Sequence, residues 1–211
     1  MKKIISLIMN ILIIIFGIIG TYMMFTFKGD GAGLTASGLQ NFKFFTVLSN
    51  ELCAMVAIAY IVFFAIKKEF PIALKLMAAA AVGLTFIVIA AFLAPMYPNL
   101  NLYEGGNLWF HLILPLTAMV EFVLLDIPES KGNKIPFRYT FYSASFALIY
   151  GICYLVNILI NGIGVWPDTN DWYGFLNWGY PIGLCIFGFI VLMNWLMAVL
   201  LRLGNMLVYK R

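Results

Sequence analysis

Residues 4–27 read IISLIMNILIIIFGIIGTYMMFTF, an unbroken run without one charged side chain. At ~1.5 Å of rise per residue, about 20 apolar residues cross a hydrocarbon core of roughly 30 Å. The run is therefore long enough to span a membrane. Working outward from Ile4–Phe27, five more stretches of comparable character follow: Phe44–Ile66, Leu74–Ala94, Leu108–Leu125, Phe137–Ile160 and Gly179–Leu203. Charge, glycine and proline gather in the linkers between them. In lipid a segment must satisfy its own backbone hydrogen bonds, which selects helices. The alternating ten-residue pattern of a barrel strand is absent from the sequence. The reading is an all-α polytopic membrane protein, one domain over residues 1–211 with six transmembrane helices.

Composition agrees. Of 211 residues, 64% are hydrophobic and only 10% are charged, with mean hydropathy +0.98. A water-soluble domain of this size needs more polar surface than that leaves. Basic residues set the expected orientation. With the N-terminus inside, all of the 13 basic residues except Lys28 and Lys43 fall on the inner side. That asymmetry predicts both termini in the cytoplasm of a plasma membrane. The Lys-Lys-Ile-Ile opening and isoleucine-rich spans have a bacterial character. The net charge of +4 then belongs to topology and anionic lipid, and no nucleic-acid surface is expected.

Met1-Lys2-Lys3 before an apolar run resembles a secretory signal, but the run is too long and lacks a small-residue cleavage site. It reads as the first span. Cys53, Cys153 and Cys185 all fall within spans, where cysteine behaves as a small hydrophobe, so no disulfide framework is implied. One histidine and scattered carboxylates predict no metal site, and no cofactor is expected. No internal repeat of the transporter kind is present. The aromatic residues Trp166, Trp172, Tyr173 and Trp178 read as an interfacial belt, with contacts to substrate by Asp168, Asp171 and Trp172 a weaker rival.

The polar residues inside spans carry the functional reading. The second span opens Phe44-Phe45-Thr46-Val47-Leu48-Ser49-Asn50-Glu51. At ~100° per residue, Thr46, Ser49 and Asn50 share one face, which must turn to the bundle interior or a wet cavity. The fourth span opens Leu108-Trp109-Phe110-His111 and carries the only histidine. Both Thr46 and His111 enter from the outer side and lie ~3–5 Å below the boundary, at ester depth. A threonine hydroxyl needs an adjacent base, and neutral imidazole suits the task. Ser49, Asn50, Asn107, Trp109 or a backbone N–H would stabilise the oxyanion, and Glu104 and Asp171 are available to orient His111. The plainer reading gives each residue a structural hydrogen bond, with Thr46 returning to its own helix. Glu51 and Glu121 are buried carboxylates that need partners; Asn157, Asn161 and Asn194 are available.

These two segments, Phe44–Asn50 and Leu108-Trp109-Phe110-His111-Leu112-Ile113-Leu114-Pro115, resemble the androgen-induced-protein family of six-span membrane hydrolases, above all its bacterial relatives. The resemblance implies hydrolysis of lipophilic acyl esters such as fatty acid esters of hydroxy fatty acids. It implies Thr46 as nucleophile and His111 as general base, and a lipid or acyl ester within the bilayer as partner. The rival expectation is a non-enzymatic membrane protein, either a small-solute transporter or a lipid-binding partner, using Glu51 and Glu121.

Overall fold

The computed structural model of the chain describes residues 2–26, 38–99, 101–126, 134–165 and 169–209. Lys28, Lys131, Lys210 and Arg211, which contribute to the expected charge asymmetry, lie outside them, as do Trp166 and Asp168. Among the described residues six helices are long and apolar enough to cross a membrane: α1 Lys2–Thr26, α2 Phe45–Ala65, α3 Ile72–Met96, α4 Gly106–Leu125, α5 Arg138–Asn161 and α6 Tyr180–Val208. The described residues contain no strand. Five of these helices end within about two residues of expectation, the usual uncertainty of a helix boundary. The exception is α6, which runs on from Leu203 to Val208. Arg202 does not end it, because its Nε donates to the Ile135 carbonyl at 2.7 Å and its guanidinium lies over the Phe137 ring.

The helices are packed inside out relative to a soluble protein. On α1 the buried positions are Ser6, Asn10, Ile13, Gly17 and Gly20, at alternating steps of four and three. That spacing, averaging 3.5 residues, keeps one stripe against neighbours that wrap in a left-handed supercoil. The isoleucines between them, such as Ile4, Ile8 and Ile18, face outward. Without a hydrophobic drive between helices in lipid, small and polar residues make the seams. Gly20 shows how close the approach is. A methyl group there would stand 2.3 Å from the Phe110 ring, itself fully buried. Gly20→Ala should therefore lower stability by about 1–3 kcal/mol through overpacking, read as a drop in melting temperature. An unchanged melting temperature would mean that α1 and α4 are not in that contact.

The centre of the bundle is α3, which packs against α2, α4, α5 and α6. Its run Ala78–Ala81 and Gly83 is thin enough for four neighbours to approach. Asn194 of α6 donates to the Ala80 carbonyl at 3.1 Å, fixing α6 to that run. The first and last described residues meet at one end of the bundle, where Lys2 lies over the Tyr209 ring. The same end carries Lys67, Lys68, Lys75 and Lys134 around one cavity with Lys2 and Lys3.

Two helices are wound wide. Val88–Leu93 in α3 and Trp109–Ile113 in α4 are π-helical. Each wide turn ends two residues before a proline, Pro95 and Pro115. A proline cannot donate to the carbonyl four residues back and its ring crowds that carbonyl, so the preceding backbone opens.

At the opposite kind of boundary, α2 ends in a Schellman turn. Lys68 N–H reaches the Phe63 carbonyl at 2.9 Å and Lys67 N–H the Phe64 carbonyl at 3.1 Å. The residue in the left-handed position is Lys67, with φ 56°. Glycine usually occupies that place, and a side chain there costs about 1 kcal/mol.

Candidate active site

A cavity of about 1070 Å³ opens between α2, α3, α5 and α6 at the end away from the termini. Apolar side chains make most of its wall, among them Leu84, Val88, Ile89, Phe92, Phe187 and Ile190. The wide turn of α3 supplies four of the lining positions, Val88, Ile89, Phe92 and Leu93. Thr46, on the first turn of α2, lines it as well. Among the described residues the Thr46 hydroxyl has no hydrogen-bond partner. The plainer expectation of a bond back into its own helix is met instead at Thr117, whose hydroxyl donates to the Ile113 carbonyl at 2.7 Å. Thr46 thus keeps a free hydroxyl in an apolar chamber.

His111 sits inside the wide turn of α4 and is buried. Its Nδ1 lies 2.6 Å from the Leu102 carbonyl. A carbonyl only accepts, so Nδ1 carries the proton and Nε2 presents a lone pair. This is the tautomer a general base requires. The orienting group is therefore a backbone carbonyl, neither Glu104 nor Asp171. Glu104 is exposed. Asp171 is spent elsewhere: its carboxylate takes the Tyr154 hydroxyl, the Phe175 N–H at 3.0 Å and the Leu176 N–H at 2.9 Å. It folds the loop over the cavity mouth.

Spans two and four do touch, and Asn50 joins them. Its Nδ2 donates to the Thr46 carbonyl at 2.7 Å and to the Phe110 carbonyl at 3.0 Å. Thr46 and the residue preceding His111 are thereby tied by one amide. The wide turn lets the Phe110 carbonyl take this bond from another helix. The same bonds remove Asn50 as an oxyanion donor, since both of its N–H groups are used. Ser49 donates to the Thr46 carbonyl at 3.0 Å and pairs with the Thr85 hydroxyl at 3.1 Å, so it too is committed. Trp109 packs on Phe16 of α1 with ring centroids 5.3 Å apart. Neither Trp109 nor Asn107 lines the cavity, and nor does His111; Leu102 stands between the imidazole and the chamber.

The two carboxylates within the spans, half-buried Glu51 and buried Glu121, find partners other than the expected asparagines. Glu51 accepts a hydrogen bond from Thr21 of α1, on the side of α2 away from Thr46. Glu121 accepts from Ser6 at 2.6 Å and Asn10 at 2.9 Å and forms an ion pair with Lys75, which also reaches Asp126 at 3.2 Å. Asn157 and Asn161 bond within their own loop region instead.

Sequence reasoning missed the tyrosines. Tyr150 and Tyr154 of α5 line the chamber. Tyr150 donates to the Lys43 carbonyl at 2.7 Å and receives the Trp172 indole N–H at 3.2 Å. Tyr173 receives the Phe45 N–H at 2.8 Å, beside Thr46. Burial pushes the Tyr173 phenol well above its ordinary range, so it stays neutral and is no base. Trp172 stands edge-on to Tyr154 at 4.7 Å and closes the mouth, whereas Trp178 is 65% exposed and fits the interfacial belt. No group of three or more metal-ligating side chains occurs among the described residues. Compared with known proteins, the chain matches no family, no curated protein and no solved structure.

Proposed function

We propose that the chain is an intramembrane hydrolase of lipophilic acyl esters, with Thr46 as nucleophile and His111 as general base. The observation that carries this reading is the unpartnered Thr46 hydroxyl in an apolar chamber of about 1070 Å³. The fixed tautomer of His111 and the Asn50 bridge between the two spans support it. So does the resemblance of the Thr46 and His111 segments to six-span membrane hydrolases. The positive-inside asymmetry of the sequence supports an orientation with both termini in the cytoplasm and the chamber near the outer leaflet of a plasma membrane.

In this reading Thr46 Oγ1 attacks the ester carbonyl carbon and its proton reaches His111 Nε2 through a bridging water, because the two side chains share no direct hydrogen bond and Leu102 lines the chamber beside the imidazole. The tetrahedral adduct collapses, the alkoxide leaves with that proton, and an acyl-threonine ester remains. Water then gives its proton to Nε2 and its oxygen to the acyl carbon. The free acid departs and Thr46 recovers its proton.

A second reading is acyl-chain binding without turnover, using the same chamber. It is favoured by the position of His111 behind Leu102 and by the committed donors of Ser49 and Asn50. Proton-relay transport through Glu51 and Glu121 is less favoured. The chamber and the cavity at the opposite end share no lining residue.

Purified protein in neutral detergent should release acid from p-nitrophenyl esters, faster for hexadecanoyl than for butanoyl chains. His111→Ala should slow release by about 10²–10⁴-fold, the usual contribution of a general base. Tight binding of hexadecanoate with no ester cleavage in wild type would select the second reading.

A further inference from the structure

We propose that the cavity at the end of the bundle carrying the termini is a binding site for a phosphate monoester, presented by an anionic lipid of the adjacent leaflet. The cavity holds about 1000 Å³ and is lined by residues of α1, α2, α3, α4 and α5 with the connecting loops. Six lysines face it, Lys2, Lys3, Lys67, Lys68, Lys75 and Lys134, against the carboxyl groups of Glu69 and Asp126. A site so unbalanced calls for a ligand carrying more than one negative charge. Lysine serves phosphate as a point charge. The volume excludes a folded partner and suits a headgroup, and Phe64, Phe70, Pro71 and Leu125 supply apolar wall where a glycerol backbone would lie.

Three observations separate this site from an ordinary basic membrane face. Lys67, Lys68 and Lys134 have no side-chain partner among the described residues, whereas Lys75 is neutralised by Glu121. Lys67 occupies the left-handed position of the α2 Schellman turn, where glycine would be unstrained. Strain of this kind persists where the side chain has a task. The buried Asp126 carboxyl reaches Lys75 through Oδ1, while its Oδ2 has no partner and the residue lines the cavity. Burial holds that carboxyl well above the usual range, and the charge of Glu121 adds to the effect.

The test uses the full chain in neutral detergent, titrated with dihexanoyl phosphatidic acid, dihexanoyl phosphatidylcholine and inorganic phosphate while thermal shift is followed. Phosphatidic acid should saturate the site at least about tenfold more tightly than phosphatidylcholine, one charge-assisted contact being worth that factor. Lys67→Gly should weaken phosphatidic acid about tenfold while the ligand-free protein melts no lower, because glycine relieves the turn. Lys43→Ala, at the other end, should bind as wild type does. Phosphatidic acid binding without inorganic phosphate identifies a lipid source, and comparable binding of both identifies soluble phosphate esters as further ligands of the same site. Equal affinity for the two lipids, or unaltered phosphatidic acid binding in both Lys67→Gly and Lys134→Ala, overturns the proposal.

Discussion

Thr46→Val is expected to hydrolyse long-chain esters at least about 10⁴-fold more slowly than wild type, with the melting temperature nearly unchanged. Valine keeps the shape of threonine and removes only the hydroxyl. The Thr46 hydroxyl bonds nothing among the described residues, so no protein partner is orphaned by its loss. The chamber keeps its wall, and hexadecanoate should bind both proteins alike. Thr46→Ser restores a hydroxyl on a less restrained side chain and should recover much of the rate. Full turnover by Thr46→Val would remove Thr46 from the chemistry and leave the chamber as a binding site.

The second large effect is on stability. Glu121 is 2% exposed and Lys75 is 5% exposed, and they are paired deep between α3 and α4. Ser6 and Asn10 complete the carboxylate's coordination from α1, and the Lys75 ammonium lies 3.9 Å from the Tyr60 ring centroid of α2. Four helices therefore meet at one ion pair. Removing a single partner of a buried pair strands the other charge at a cost of about 3–5 kcal/mol. Lys75→Met should lower the denaturation midpoint by a corresponding amount, and Glu121→Leu by less, because Asp126 still pairs with Lys75 at 3.2 Å. The double variant should recover part of the Lys75→Met loss, because only Asp126 is then left without its lysine. Single variants within ~0.5 kcal/mol of wild type, the range of an ordinary surface change, would mean that the pair is open to water.

The helices were legible because each needs only a sufficient length of apolar residues, a property of the segment alone. The face bearing Thr46, Ser49 and Asn50 was legible too, since ~100° per residue fixes which side chains share a side. Glu51 falls off that face and pairs with Thr21 on α1. What the hydroxyls and amides bond was not legible. Asn50 looked like a donor to an oxyanion, yet two backbone carbonyls use both of its N–H groups. The partner of His111 is a carbonyl in the loop before α4, and backbone groups leave no signature in residue identity. Pro95 and Pro115 were visible in the sequence, and the missing proline N–H is the signal from which both wide turns could have been read. The Lys75, Glu121 and Asp126 cluster depends on how α3 packs with α4. Spacing along one chain does not determine that.

Intact-mass analysis after treatment with a fluorophosphonate tests the central assignment most directly, because the reagent reacts only with an activated hydroxyl. Wild-type protein should gain one adduct, mapping to Thr46, and Thr46→Val and His111→Ala should gain none. An adduct at another residue, or no adduct on folded wild-type protein that binds hexadecanoate, would contradict the assignment of Thr46 as nucleophile.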